Sequence, residues 1–192
     1  MSFHDVILST IGAAWIAFIA YWLIMAFRVK RAVKRQGIGG RLLQVLGSAA
    51  TFMLMWHQDS RWGVLSSRFV GRGAGWALAG AILTCAGVAI AIWERTILGG
   101  NWSSSVTVKQ DHTLIRTGPY TVVRHPIYSG LILAIFGTAL ALGEFRDLLA
   151  VGVLFATFLI KSRTEERFMT EQFGHDYEHY RHETKALIPF IF

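Results

Sequence analysis

Residues 112–130 read HTLIRTGPYTVVRHPIYSG, and the reading of this stretch decides the fold. It is the least hydrophobic long connection in an otherwise apolar chain, and two histidines, two tyrosines and two arginines crowd into it. Pro126 lacks an N–H and would clash inside a helix, but it suits the first helical position. His125 is therefore expected to cap a helix that runs on into the membrane from Ile127. The free N–H groups and positive dipole end of that helix would suit an anionic group such as a carboxylate. Gly130, one turn in, would let a ligand approach the backbone. The stretch is expected to form a polar ligand cradle at a membrane surface.

Outward from it, the chain is greasy. Of its 192 residues 53% are hydrophobic and 16% charged, and the mean hydropathy is +0.43. These values suit a polytopic membrane protein with short loops rather than a soluble domain. The length allows a single domain, 1–192, with N-terminal helices over 1–97 and the motif-bearing part over 98–192. Cys85 is the sole cysteine, which excludes an internal disulfide or a cysteine-rich metal site. A net charge of +7 raises the question of nucleic acid. The basic residues sit in loops beside apolar spans, so anionic lipid headgroups account for them better, and nucleic acid is not an expected partner.

Upstream, residues 6–27 are uncharged and long enough to cross a bilayer. No basic residue precedes them and the run is long for a signal core, so a first membrane helix is expected. A basic cluster follows at Arg28, Lys30, Arg31, Lys34 and Arg35. Residues 42–56 form a shorter apolar run, which would rise roughly 22 Å at 1.5 Å per residue. Gly71, Gly73 and Gly75 suggest a flexible turn into a third span over 76–93, not a phosphate loop, since no strand precedes them. Gly80 with Thr84, and Gly87 with Ala91, have the small-x-x-x-small spacing that lets helices pack closely. Residues 94–124 read as a long polar connection, and 127–142 with 148–160 as an apolar hairpin around residues 143–147. From Lys161 an amphipathic helix is expected, ended or kinked at Gly174. The expected fold is all-α, with about five membrane helices, a C-terminal hairpin and an amphipathic cytoplasmic helix. With the N-terminus outside, fifteen basic residues fall in cytoplasmic segments against four outside. That asymmetry places the motif side in the cytoplasm.

Two patterns in order carry a resemblance. His112-x-Leu114-x-x-x-Gly118-x-Tyr120 runs into Arg124-His125-Pro126-x-Tyr128-x-Gly130, and Glu165-Glu166 precedes Phe173-Gly174-x-x-Tyr177-x-x-Tyr180. Together with LGGNWSS at 98–104, this arrangement resembles the isoprenylcysteine carboxyl methyltransferase family over roughly residues 98–190. The resemblance implies S-adenosylmethionine as the methyl donor. By position, it implies cofactor contacts at His112, Thr113, Leu114, Ile115, Tyr120, His125, Pro126, Ile127, Tyr128 and Glu165. It implies a lipid-linked or otherwise hydrophobic acceptor entering from the membrane, the carboxylate of an isoprenylcysteine being the family's best-known case. The family has an arginine four residues before the first glutamate, facing substrate. This chain has Lys161 there, which keeps the charge and loses the bidentate fork.

These residue types make chemical sense. The cofactor joins a carboxylate, an ammonium, a sulfonium, a ribose and an aromatic base. A tyrosine can face the cation and a glutamate can accept from ammonium or ribose. A carboxylate acceptor is already ionised at neutral pH, so its methylation requires neither base nor metal. The work lies in holding oxygen, methyl carbon and sulfur in line and stripping water from the nucleophile. Lys161 is the candidate for orienting the acceptor. Taken singly, Tyr120 and Tyr128 would suit an interfacial aromatic belt, and the glutamate pair an ordinary solvated face. Arg124 could bind phosphate, pair with an acid or mark the membrane edge. His175, His179 and His182 have a spacing that could gather a metal, but interleaved acids favour a solvated surface. Competing functions are methylation of a phospholipid amine or a small thiol, an NADPH-dependent sterol-type reductase with a similar terminal motif, and a non-enzymatic membrane scaffold.

Overall fold

The computed structural model describes residues 2–27, 32–35, 37–56, 60–99, 102, 107–109 and 114–191. Six helices account for most of them: α1 (Phe3–Ala26), α2 (Ile38–Trp56), α3 (Ala74–Leu98), α4 (Pro126–Leu142), α5 (Phe145–Phe173) and α6 (His175–Glu183). The first three are each long and apolar enough to cross a membrane. α1 opens with a reciprocal cap, in which the Asp5 N–H donates to Ser2 Oγ (3.2 Å) and the Ser2 N–H to Asp5 Oδ2 (2.7 Å). Only Ile7, Ile11 and Met25 of α1 are buried, while Ile16, Leu23 and Ile24 are more than 60% exposed. A continuous apolar face of that extent is a lipid face.

Several expectations change. α2 starts four residues before the apolar run, because Ile38 to Arg41 continue the helix, and it reaches 19 residues. The polar connection starts later than residue 94. Glu94 and Arg95 belong to α3 and are 1% and 0% exposed. The two terminal nitrogens of Arg95 donate to the Met25 carbonyl at the end of α1 (Nη2, 3.0 Å) and the Gly99 carbonyl (Nη1, 2.6 Å). The guanidinium lies over the face of Trp102 at 4.5 Å, while the buried Nε makes no hydrogen bond among the described residues. One arginine thus caps two helix ends whose last carbonyls have no intrahelical partner. The all-α architecture carries one small addition, an antiparallel ladder between β1 (Ala32–Arg35) and β2 (Thr107–Lys109). It ties the connection after α1 to the connection after α3.

The apolar segment 148–160 and the amphipathic segment beyond it are one helix, α5, of 29 residues. At 1.5 Å per residue it is roughly 43 Å long, more than a ~30 Å hydrocarbon core. Its apolar part ends at Ile160, so its last turns project past the apolar layer. Gly174, with φ +53°, ends it and starts α6, where a residue with a Cβ would be strained.

The small-residue spacing on α3 is used as expected. A Cβ on Gly87 would lie 2.4 Å from the Gly130 carbonyl, and one on Gly80 would lie 2.5 Å from the Gly137 carbonyl. This corrects the reading of Gly130. Its bare face is turned to α3 (a Cβ there would meet the Gly87 carbonyl at 2.8 Å) and is spent on helix packing, not on a ligand.

Candidate active site

Local rules build the first half of the site. His125 is the N-cap of α4 and Pro126 the first helical residue. Because Pro126 has no N–H, and the Tyr128 and Ser129 N–H groups both donate to the His125 carbonyl (3.0 and 3.2 Å), this helix end offers an anion much less than an open one. The loop before it is held from outside. The Arg124 N–H donates to the Lys185 carbonyl (2.8 Å), the His125 N–H to the Ala186 carbonyl (3.1 Å), and the Lys185 N–H to the Val122 carbonyl (3.2 Å). The segment after α6 therefore runs beside residues 122–125 like an added strand, bridged at Val123 and Lys185. Leu187, 1% exposed, plugs it into the core.

The second half comes from the projecting end of α5. The Tyr128 hydroxyl donates to Glu165 Oε1 at 2.7 Å. The buried His125 ring lies between two carboxylates, with Nδ1 at 3.3 Å from Glu165 and Nε2 at 3.3 Å from Glu166. Arg124 Nε reaches Glu166 at 2.8 Å, which settles its role as a partner of an acid. Three rings form a stack: His125 on Tyr128 (5.4 Å) and Tyr128 on Phe158 (4.6 Å). Lys161 Nζ sits 5.0 Å from the centre of the Tyr128 ring, a cation over an aromatic face.

The charges in this cluster sustain one another. Burial opposes ionisation of His125, but the hydrogen bonds and charges of Glu165 and Glu166 outweigh it and raise its pKa above the usual 6.5. Burial likewise disfavours the Glu165 carboxylate, yet His125, Lys161 and Tyr128 hold its pKa below the usual value. For Glu166, burial is overcome by His125 and Arg124, and the pKa falls to about 2. A buried cation shared by two anions, with a second cation behind, satisfies all of its members.

Of the residues expected in the site, His125, Tyr128, Glu165 and Lys161 converge. Pro126 and Ile127 are buried at the start of α4, with Ile127 in the core rather than facing a cleft. Leu114 and Ile115 are half-buried on the approach. Tyr120 is 6% exposed in a 3-10 turn, Gly118–Thr121, whose Tyr120 carbonyl accepts from the Tyr180 hydroxyl at 2.7 Å. His112 and Thr113 lie outside the described residues.

Three residues escaped the sequence reading. Glu166 was visible as the second member of the pair, but its role depends on Arg124 arriving from another element. Arg116, which donates to the Asp176 carbonyl at 2.5 Å and lies over the Tyr180 ring, fastens the turn to α6. Glu94 is the third. Its carboxylate makes no hydrogen bond among the described residues, and Oε2 is fully buried. It is close enough to Tyr120 to act on it: burial, then Glu94, Tyr180 and Glu165, raise the Tyr120 pKa, with Arg95 opposing. Tyr120 thus lies within the fields of two acids, Glu94 and Glu165. The apolar pair Ile97-Leu98 after the charges was the available sign that the helix continued through them.

Comparison with known proteins places the chain. It is 38% identical over 96 residues to the protein-S-isoprenylcysteine O-methyltransferase of Schizosaccharomyces pombe, an alignment covering 48% of this chain and 41% of that protein. It is 33% identical over 117 residues to the protein of the same name from Saccharomyces cerevisiae, covering 57% and 49%. The matched part therefore spans less than half the length of either relative. A solved structure of the eukaryotic intramembrane Ras methyltransferase, isoprenylcysteine carboxyl methyltransferase, is 20% identical with a TM-score of 0.49, over 83% of this chain and 55% of that one. The family model described as phospholipid methyltransferase matches residues 76–176, from α3 through the start of α6. By that match, over more than half its length, the chain belongs to the phospholipid methyltransferase family.

Proposed function

We propose that the protein transfers a methyl group from S-adenosylmethionine to a lipid-linked carboxylate, of the kind an isoprenylcysteine presents, at the cytoplasmic surface of a membrane. The observation that carries the proposal is the convergence of His125, Tyr128, Glu165 and Lys161 where α5 leaves its apolar stretch. A donor from water and an acceptor from lipid meet at that level. The donor's chemistry fits these residues. Glu94, a buried carboxylate without a hydrogen bond among the described residues, and Glu165 both act on Tyr120, which is the polarity an ammonium and a sulfonium require. When bound, S-adenosylmethionine supplies a methyl group activated on its sulfonium. Tyr120, Tyr128, Glu94 and Glu165 would hold the cationic parts, and Leu114 and Ile115 would cover its base.

The acceptor side belongs to Lys161. It shares a helix face with Glu165 one turn later, so the two side chains reach the same volume. An ammonium over the Tyr128 ring can orient a carboxylate without the two-pronged grip that would quench it. His125, Lys161 and Tyr128 keep Glu165 ionised, and His125 and Arg124 do the same for Glu166. Neither is free to take a proton, so this part of the site suits an acceptor that is already ionised. A phospholipid amine acceptor is the second reading, compatible with the family's description as phospholipid methyltransferase. A protonated amine must lose a proton before it can attack, and Glu94 is the available buried carboxylate for that role.

The test is binding and turnover by purified protein in lipid nanodiscs. S-adenosylmethionine should bind and NADPH should not. A prenylated cysteine should be methylated on its carboxylate in preference to phosphatidylethanolamine. Lys161→Met should leave donor affinity nearly intact but lower turnover at least about tenfold, or about 1.4 kcal/mol of transition-state positioning, and Lys161→Arg should retain much of it. Binding of NADPH instead of S-adenosylmethionine would overturn the reading. Methylation of the lipid amine alone would transfer it to the second acceptor class.

A further inference from the structure

α5 carries a second concave feature on another face. Leu159, Ser162, Arg163 and Glu166 line a cleft of about 320 Å³ that α5 forms with Arg124, the end of α6 and the segment after it. Spacing of i, i+3, i+4 and i+7 puts those four on one stripe of the helix. Phe158, Lys161 and Glu165 lie on a stripe about a third of a turn away. The cleft and the methyl-transfer site therefore share a helix and the neighbourhood of Glu166 but draw on different stripes of α5.

Its charge is unbalanced. Arg124, Arg163, Arg181 and Lys185 line it, and Glu166 is the only carboxylate among the lining residues. Glu166 is already shared by Arg124 at 2.8 Å, His125 at 3.3 Å and Arg181 at 3.7 Å. Arg181 has a second acid outside the cleft, Glu178 at 3.2 Å. Arg163 and Lys185 are exposed and make no ion pair among the described residues. Two positive charges thus remain uncompensated in a concave surface, enough to attract an anion strongly.

Its height narrows the anion's identity. Leu159 forms the cleft wall in the last apolar turn of α5, and the cations begin just beyond Ile160. After α6, Ile188, Phe190 and Ile191 are 37%, 84% and 77% exposed. The feature is cationic on one side and apolar on the other, at the level where a bilayer changes from phosphate to hydrocarbon. We propose that this cleft binds the phosphate of an anionic phospholipid through Arg163, Arg181 and Lys185, with the acyl chains against Leu159 and the exposed isoleucines. A headgroup lacking an ammonium fits best, because an ammonium would meet the same two cations. The proposal requires only that the chain sit in a membrane, not that it methylate a particular acceptor.

The experiment is native mass spectrometry of detergent-purified full-length protein titrated with phosphatidylglycerol, phosphatidylcholine or inorganic phosphate. Phosphatidylglycerol should be retained about tenfold better than phosphatidylcholine. The double variant Arg163→Gln/Lys185→Gln should lose that preference at least about fivefold. Both side chains are exposed, so the thermal midpoint and the S-adenosylmethionine affinity of the variant should stay at the wild-type values. Equal retention of the two lipids, or an undiminished preference in the variant, would overturn the proposal. Displacement of the lipid by millimolar inorganic phosphate would also overturn it, in favour of a free-phosphate site. A change in donor affinity would show that the cleft belongs to the methyl-transfer site and is not separate from it.

Discussion

His125 is where the helix cap, the two glutamates and the aromatic stack meet, so its ionisation should set the pH range of the fold around it. Its pKa is raised, so the stability it contributes is complete below the usual 6.5 and is lost as pH rises through the elevated value. Glu166 works in the opposite sense. With its pKa depressed from 4.5 to about 2, its contribution is complete above 4.5 and is lost as pH falls toward 2. Thermal melts in detergent should therefore show a falling limb on each side of a plateau. Glu166→Gln should flatten the acid limb and His125→Gln the alkaline one. An acid limb unchanged in Glu166→Gln would mean that other carboxylates set acid stability.

At the scale of elements, the contact between α3 and α4 is the least forgiving. Gly87 meets backbone, which cannot rotate aside. Gly87→Ala should cost about 1–3 kcal/mol through overpacking. Gly75, near the start of the same helix, has nothing within 4 Å of a built Cβ. Gly75→Ala should be neutral or stabilising by up to about 1 kcal/mol, through helix propensity alone. Denaturation of both variants in detergent checks the pair, and a harmless Gly87→Ala would disprove the tight crossing. The sequence made this crossing legible because small residues four apart have few other uses on an apolar helix. It made His125 and Pro126 legible because proline chemistry is local. The burial of Glu94 and Arg95 was not legible, since charge ordinarily ends a membrane span. Only the end of α1, the Gly99 carbonyl and Trp102, all brought in by tertiary packing, make Arg95 tolerable there. Gly130 misled for a related reason. A glycine marks close approach without saying whether a ligand or a helix approaches. The ladder between β1 and β2 was hidden because three residue pairs, in strands of four and three residues, have no periodicity to read.

At the scale of the molecule, pairings between loops sort the connections into two ends. The β1–β2 ladder and the bridge from Val123 to Lys185 gather the site's end, and the bridge from Arg68 to Glu144 gathers the other. In a Cys85→Ala background, Val64→Cys and His182→Cys should react with an impermeant maleimide from opposite sides of sealed vesicles. Labelling of both from one side would break the proposed topology. The Val123–Lys185 bridge also bears on how the protein is made. The groups that complete the cap come late in synthesis: Arg124 donates to the Thr184 carbonyl, a partner 60 residues further on. At 5–20 residues per second, a ribosome needs about three to twelve seconds to supply it. During that interval α4 and the apolar part of α5 can enter the bilayer while residues 122–125 have no strand beside them. The surroundings of His125 are thus completed only after α6 has been made, and a nascent chain still short of α6 lacks the strand that holds residues 122–125 in place.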